Sequence, residues 1–172
     1  MTELWNWRID DRVAPAEVYA ALAGALGRPV LPLAGADPLR LPPGVLLCDA
    51  WHRPGDFPTS VDCYGAVARF GAGDRYGPPE LLTEPGAVAA FARRLGRRCL
   101  LPDDTLDHGR HLLVAPDGTM RPVHVDVRDT DDGEVLSNWR LCTTASPRCQ
   151  GWSPCHRSRW APDSVVPALA AA

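Results

Sequence analysis

Pro85-Gly86-Ala87-Val88-Ala89-Ala90-Phe91-Ala92-Arg93-Arg94-Leu95-Gly96-Arg97-Arg98-Cys99-Leu100-Leu101-Pro102 reads as a helix, a stop and a strand. Proline suits the first helical turn, where its missing N–H is not needed. Val88, Phe91, Ala92 and Leu95 then fall at i, i+3, i+4 and i+7, the single apolar stripe of an amphipathic helix. Gly96 supplies the left-handed residue that ends helices, and the apolar run up to Leu101 is a short strand closed by Pro102. The same cassette occurs 69 residues earlier. Pro15 opens it, Tyr19, Leu22, Ala23 and Leu26 form the stripe, Gly27 stops it, and Val30 to Leu33 is the strand. Both copies contain Leu-Gly-Arg. A β-α-β-β internal repeat is one reading; the other is that any amphipathic helix stopped by glycine looks this way.

Outward from the cassettes, strand patterns dominate. Trp5, Trp7 and Ile9 alternate with polar neighbours and predict a first strand over 4–9. Val45 to Cys48 is a second run, followed by Trp51-His52-Arg53-Pro54-Gly55-Asp56-Phe57-Pro58, which two prolines and a glycine keep irregular. Val61, Cys63 and Val67 mark a strand up to about Phe70, and a loop runs from Gly71 to Glu84. After the second cassette comes a β-meander. His111 to Ala115 is apolar, Pro116-Asp117-Gly118-Thr119 is a turn, and Val123, Val125 and Val127 alternate with His124, Asp126 and Arg128. Asp132-Gly133 is a second turn before a last strand near 134–141. The pattern predicts an α+β fold: a mostly antiparallel sheet with two amphipathic helices on one face, in one domain over 1–141. Residues 142–172 hold three cysteines, two tryptophans and four prolines without periodicity, and are expected to be a loosely ordered tail.

With 172 residues and 45% hydrophobic composition, the chain can bury a core without disulfides or metal. All eighteen basic residues are arginine, which matches the codon bias of a GC-rich bacterial genome. The start, Met1-Thr2-Glu3-Leu4-Trp5, lacks the pattern of a secretory signal, and no uncharged apolar run approaches the roughly 18 residues that span a bilayer. The expected location is therefore cytoplasmic, with six reduced cysteines. The net charge of −3 is unevenly spread: 1–92 carries −4, 93–102 carries +4, 103–134 carries −6, and 135 onward +3. The acidic stretch argues against a nucleic-acid surface there.

Several chemistries find no motif. Gly-x-Ser-x-Gly, His-Glu-x-x-His and Cys-x-x-Cys are absent, and without lysine there is no P-loop. The glycines between Gly71 and Gly77 precede Pro78-Pro79 in place of a helix N-terminus, so they form a loop and not a phosphate cradle. Cys63 and Cys99 are formally available nucleophiles but sit in apolar runs. Cys142, Cys149, Cys155 and His156 offer four zinc donors. Their spacings of six, five and zero residues differ from the two to four residues usual between paired ligands. Unpaired thiols are the preferred reading, zinc stays an alternative, and no cofactor is expected. His124, Asp126 and Arg128 read as a solvated strand face, which His108 and His111 could join to make a metal or catalytic site. Asp49, His52, Asp56 and Asp62 gather around the loop that holds Trp51, where Trp51 either anchors a partner or folds onto the core.

The remaining signal is acidic: Asp103, Asp104, Asp107, Asp126, Asp129, Asp131, Asp132 and Glu134. The run from Leu95-Gly96-Arg97-Arg98 to Pro102-Asp103-Asp104, with the hairpin His111-Leu112-Leu113-Val114-Ala115-Pro116-Asp117-Gly118, is similar to small bacterial immunity proteins encoded beside polymorphic toxins. The likeness covers roughly residues 1–135 and is one of style. It implies a stoichiometric inhibitor whose acidic residues face a basic toxin-like partner. The expectation is thus a non-enzymatic binding protein of immunity type, using Asp103, Asp104, Asp107, Asp126, Asp129, Asp131, Asp132 and Trp51, with neither nucleic acid nor membrane as partner. The alternative is an enzyme or metal-dependent protein built on a His/Asp cluster of the meander.

Overall fold

A computed structural model describes residues 3–37, 40–42, 44–65, 83–151 and 153–166. The predicted end of the strand near Phe70 and the glycine loop 71–77 lie outside the described residues. The eight strands are β1 (Glu3–Ile9), β2 (Val30–Pro32), β3 (Leu46–His52), β4 (Thr59–Gly65), β5 (Cys99–Pro102), β6 (Arg110–Val114), β7 (Met120–Thr130) and β8 (Gly133–Leu141). They form one sheet in the order β2-β3-β4-β1-β5-β6-β7-β8. Every neighbouring pair is antiparallel except β2 with β3. The helices α1 (Pro15–Leu26) and α2 (Glu84–Leu95) share one face, as expected of this α+β pattern.

The cassettes repeat in local geometry. Gly27 and Gly96 end their helices at φ 62° and 70°, a conformation that glycine adopts without steric cost, and each following strand starts three residues later. Sheet context differs, because β2 is an exposed edge strand while β5 lies inside the sheet between β1 and β6. The likeness is confined to helix, stop and strand. α2 buries Val88, Phe91 and Ala92 as its stripe predicts; α1 buries Val18, Ala21 and Leu22, with Tyr19 and Leu26 at the margin. Both pack on Trp7, Ile9, Cys48, Val61, Cys63, Leu101 and Leu112 of the sheet. Trp7 and Phe91 meet edge to face at 5.3 Å.

The opposite face closes on itself. Phe57, Leu100, Leu113, Val123, Val125 and Leu136 form a second core, sealed where the loop after β3 reaches β8. There the Asp56 N–H donates to the Leu136 carbonyl at 2.9 Å, and the Asn138 N–H donates to the Asp56 carboxylate at 2.7 Å. Gly55 permits this approach, since a Cβ there would stand 2.5 Å from the Leu136 oxygen. Arg8 and Arg53 hold the β7–β8 hairpin by donating to the Glu134 and Asp132 carbonyls at 2.9 and 3.0 Å. Phe57 is thus a core residue, while Trp51 stays half-buried, with the Arg53 guanidinium over its ring at 5.3 Å.

Phe91→Ala should remove about 3–5 kcal/mol of stability, read as a lower urea midpoint at unchanged slope. A loss below about 1 kcal/mol would show that the α2 stripe does not anchor the core.

Candidate metal centre

The site begins with strand alternation on β6 and β7. Leu112 and Val114 point to the helix side, so Arg110 does as well, and the register sets Arg110 directly opposite His124. Leucine and valine there meet α2, which packs on β5 and β6. Arg110 and His124 lie beyond it and need another cover. Residues 142–166 provide that cover, although they show no periodicity. The Cys142 N–H donates to the Pro122 carbonyl and the Asp163 N–H to the Cys142 carbonyl, both at 2.9 Å. Val166 exchanges two backbone hydrogen bonds with Met120, at 3.0 and 3.1 Å. Short 3₁₀ turns at Pro147–Cys149 and Pro154–Arg157 fold the segment inward, and Trp160 joins the main core.

Under this cover the ligand atoms of His124, Cys142, Cys149 and Cys155 all lie within 4.8 Å of one another. All four residues are 2% exposed or less. His124 Nε2 stands 3.1 Å from Cys149 Sγ and 3.5 Å from Cys155 Sγ, and Cys142 Sγ is 3.4 Å from Cys149 Sγ. A tetrahedral zinc ion with bonds of about 2.3 Å to sulfur and 2.0–2.1 Å to nitrogen spaces its donors roughly 3.6–3.8 Å apart. The cluster therefore needs only small adjustments to close around one ion.

The second layer is ordered too. Asp107 Oδ2 lies 3.9 Å from His124 Nδ1, on the side that favours a proton at Nδ1 and leaves the Nε2 lone pair facing the sulfurs. Burial, and then the charge of Arg148, lower the His124 pKa, which favours the neutral imidazole that a metal needs as ligand. Burial and the hydrogen bond with Cys149 push the Cys142 thiol up to about 12, while Arg110 draws it down. An arriving ion must displace that proton. Arg110 is fully buried, with hydrogen bonds to the Asp103 carboxylate and the Trp160 carbonyl, and its Nη2 is 4.0 Å from Cys142 Sγ.

No family model, curated protein or solved structure matches the chain. The comparisons bear neither way on the likeness to immunity proteins. The site itself corrects the functional expectation drawn with that likeness. A non-enzymatic toxin inhibitor was inferred with the cysteines taken as loose thiols, but these thiols converge with a histidine into a buried donor set that can hold a metal ion. The lean against enzymatic capacity loses its basis at the same point, because this set arises without any of the motifs whose absence supported it. The metal-dependent alternative fares better, though of its residues only His124 belongs to the cluster.

The fourth donor is also not the one that spacing offered. His156 Nε2 meets the Cys149 carbonyl oxygen at 2.6 Å, since adjacent residues of a 3₁₀ turn project in different directions. His124 takes its place. Its neighbours do not follow it: a register shift between His124 and Asp126 breaks the polar row, Asp126 pairs with Arg140 at 2.9 Å, and Arg128 is exposed. His108 is exposed, and His111 lies on the other face, opposite Val123.

The acidic residues differ in burial and partners. Asp103 is buried with Arg110, and its carboxylate accepts from the Thr105 N–H and hydroxyl. Asp107 accepts from the Gly109 N–H beside His124. Asp104 is exposed between them, and Asp129, Asp131 and Asp132 are exposed along the β7–β8 hairpin. Asp49 and Asp62 face each other across β3 and β4, His52 contacts the Val13 carbonyl at 3.2 Å, and Asp56 ties the loop to β8. Cys63 and Cys99 are fully buried, their thiols pushed well above the ordinary range, Cys63 by its hydrogen bond with Cys48 and by burial, Cys99 by burial.

His111 carries its own pH signature. Burial first, then Arg8, lowers its pKa to about 4, and its Nδ1 has no partner. The unfolded chain accepts a proton near pH 6.5 that the folded chain refuses. The contribution of the neutral ring to stability is therefore complete above that pH and lost as the pH falls towards 4, by up to roughly 3 kcal/mol. His111→Leu, compared with the parent in excess chelator, should flatten the decline of unfolding free energy over this window. Equal slopes in the two proteins would refute the assignment.

Proposed function

We propose that this is a zinc-dependent protein in which a Cys3His centre, formed by His124, Cys142, Cys149 and Cys155, clasps the C-terminal segment to the sheet. The observation that carries the reading is the convergence of four buried soft donors within 4.8 Å. Three thiolates and an imidazole suit zinc over the oxygen-preferring magnesium and calcium. The short mutual distances favour a single ion over an iron–sulfur cluster, which spreads its ligands over two or more irons. Four protein ligands fill the tetrahedron, the arrangement of a closed zinc site whose work is to hold structure.

The electrostatics support this reading. The ion replaces the proton that burial holds on the Cys142 thiol, and it joins β7, the end of β8 and both 3₁₀ turns at one point. A centre of this kind contributes folding free energy directly, because the unfolded chain has no preformed site. Apart from Trp160 and Val166 the helix-covered core is built from residues outside the clasped segment, so losing the ion releases the clasp and leaves the helices packed on the sheet. The same clasp places the carbonyl of Trp160 on Arg110.

Purified protein should contain close to one zinc per chain by elemental analysis and native mass spectrometry. Cys149→Ser and His124→Ala should each cut occupancy by more than tenfold, whereas His156→Ala should keep it. Arg148, Arg157 and Arg159 are already exposed, so chelation should speed tryptic cleavage after them by freeing the backbone that the clasp holds, while helical circular dichroism persists. Protein expressed and purified with zinc supplied that carries none, or carries iron in its place, would overturn the reading.

A further inference from the structure

We propose that Arg110 is a second-sphere residue of the metal centre: its guanidinium bridges the Cys142 sulfur and the Asp103 carboxylate, and supplies the buried positive charge that a metal–thiolate centre requires. The inference rests on the zinc reading above and concerns how the chain tolerates that centre electrostatically.

A divalent ion bound by three thiolates and a neutral imidazole carries one net negative charge. All four ligands are buried, so that charge receives little help from water, and a buried charge needs a partner. Among the described residues, Arg110 is the buried cation with a donor nitrogen on a ligand sulfur, Nη2 at 4.0 Å from Cys142 Sγ. The contact is long for neutral groups, but it shortens when the sulfur becomes an anion, since charge-assisted hydrogen bonds are the shorter ones.

The surrounding contacts prevent the guanidinium from leaving. Nη1 is held by Asp103, and Nη2 also donates to the Trp160 carbonyl. Asp103 is itself fixed by the turn it forms with Thr105, at 2.6 Å to the hydroxyl and 3.1 Å to the N–H. Without the ion, Arg110 has Asp103 as its ion-pair partner. Once the ion is bound, the same guanidinium lies between two anions. Asp103 then both positions Arg110 and competes for its charge, so its loss should affect metal affinity far less than the loss of Arg110.

The probe is the metal alone, zinc and cobalt(II), with the full chain. Arg110→Met should weaken zinc binding about 10–100-fold in chelator competition, and should shift the sulfur-to-cobalt charge-transfer band as one thiolate loses its donor. Asp103→Asn should bind zinc no more than threefold more weakly than the parent, because it frees the guanidinium for the sulfur. Arg110→Lys, which keeps the charge, should recover at least part of the loss, and serves as the test variant if Arg110→Met fails to fold. An Arg110→Met protein that binds zinc within threefold of the parent, with an unmoved cobalt band, overturns the proposal. So does an equal loss in Arg110→Met and Asp103→Asn with unmoved bands, which is the result for a purely structural strut. If the parent binds neither metal, the zinc reading itself falls, and with it this inference.

Discussion

The helix side of the sheet is wider than its helices can cover. Each helix has twelve residues, about 18 Å of rod, and α1 and α2 lie over the half that contains β1, β3, β4, β5 and the end of β6. The far side, where Arg110 and His124 stand, must still be shielded, and the residues that follow β8 do it. Those residues have neither a helical stripe nor strand alternation. Three cysteines and a borrowed histidine take the place of an apolar layer, so the last part of the core is a donor cluster in place of a hydrophobic patch.

That solution explains several features that otherwise look unrelated. A buried arginine and a buried aspartate are expensive unless paired, and Arg110 with Asp103 are paired under the same cover. The loop between β5 and β6 carries four charged or titratable side chains in a short span, and two of its three acids are used locally: Asp103 caps a turn through Thr105, and Asp107 caps Gly109 while facing His124. The acidic residues of the linear chain therefore divide: Asp103 and Asp107 are drawn into local hydrogen bonds, while Asp104, Asp129, Asp131 and Asp132 stay exposed. The curled opposite face follows similar logic, with Arg8, Arg53 and Asp56 tying the hairpin and the loop through backbone groups.

Local rules made much of the architecture legible. Helix stripes, glycine stops and the turn at Asp117-Gly118 depend on neighbours a few residues away, and both helices and the meander lie where those patterns place them. The histidine ligand was not legible in the same way. In Val123-His124-Val125 alternation assigns His124 to the face away from the valines, and on an antiparallel meander that face is ordinarily wet. Its partners stand 18 to 31 residues away, in a stretch whose spacing matches no zinc pattern, so the only local cue was that a histidine interrupts an apolar strand.

By itself the sequence determined the class of fold, the two helix–stop–strand cassettes and the supply of soft donors near the C-terminus, because these depend on composition and on periodicity along a few turns of chain. Only the tertiary structure decided which donors meet. The return of residues 142–166 over β6 and β7 chose His124 over His156, withdrew Asp103 from the surface and placed Arg110 against Cys142. The physical reason is that a metal site is a statement about distances in space, and loop closure over tens of residues leaves no period in the chain that closes it.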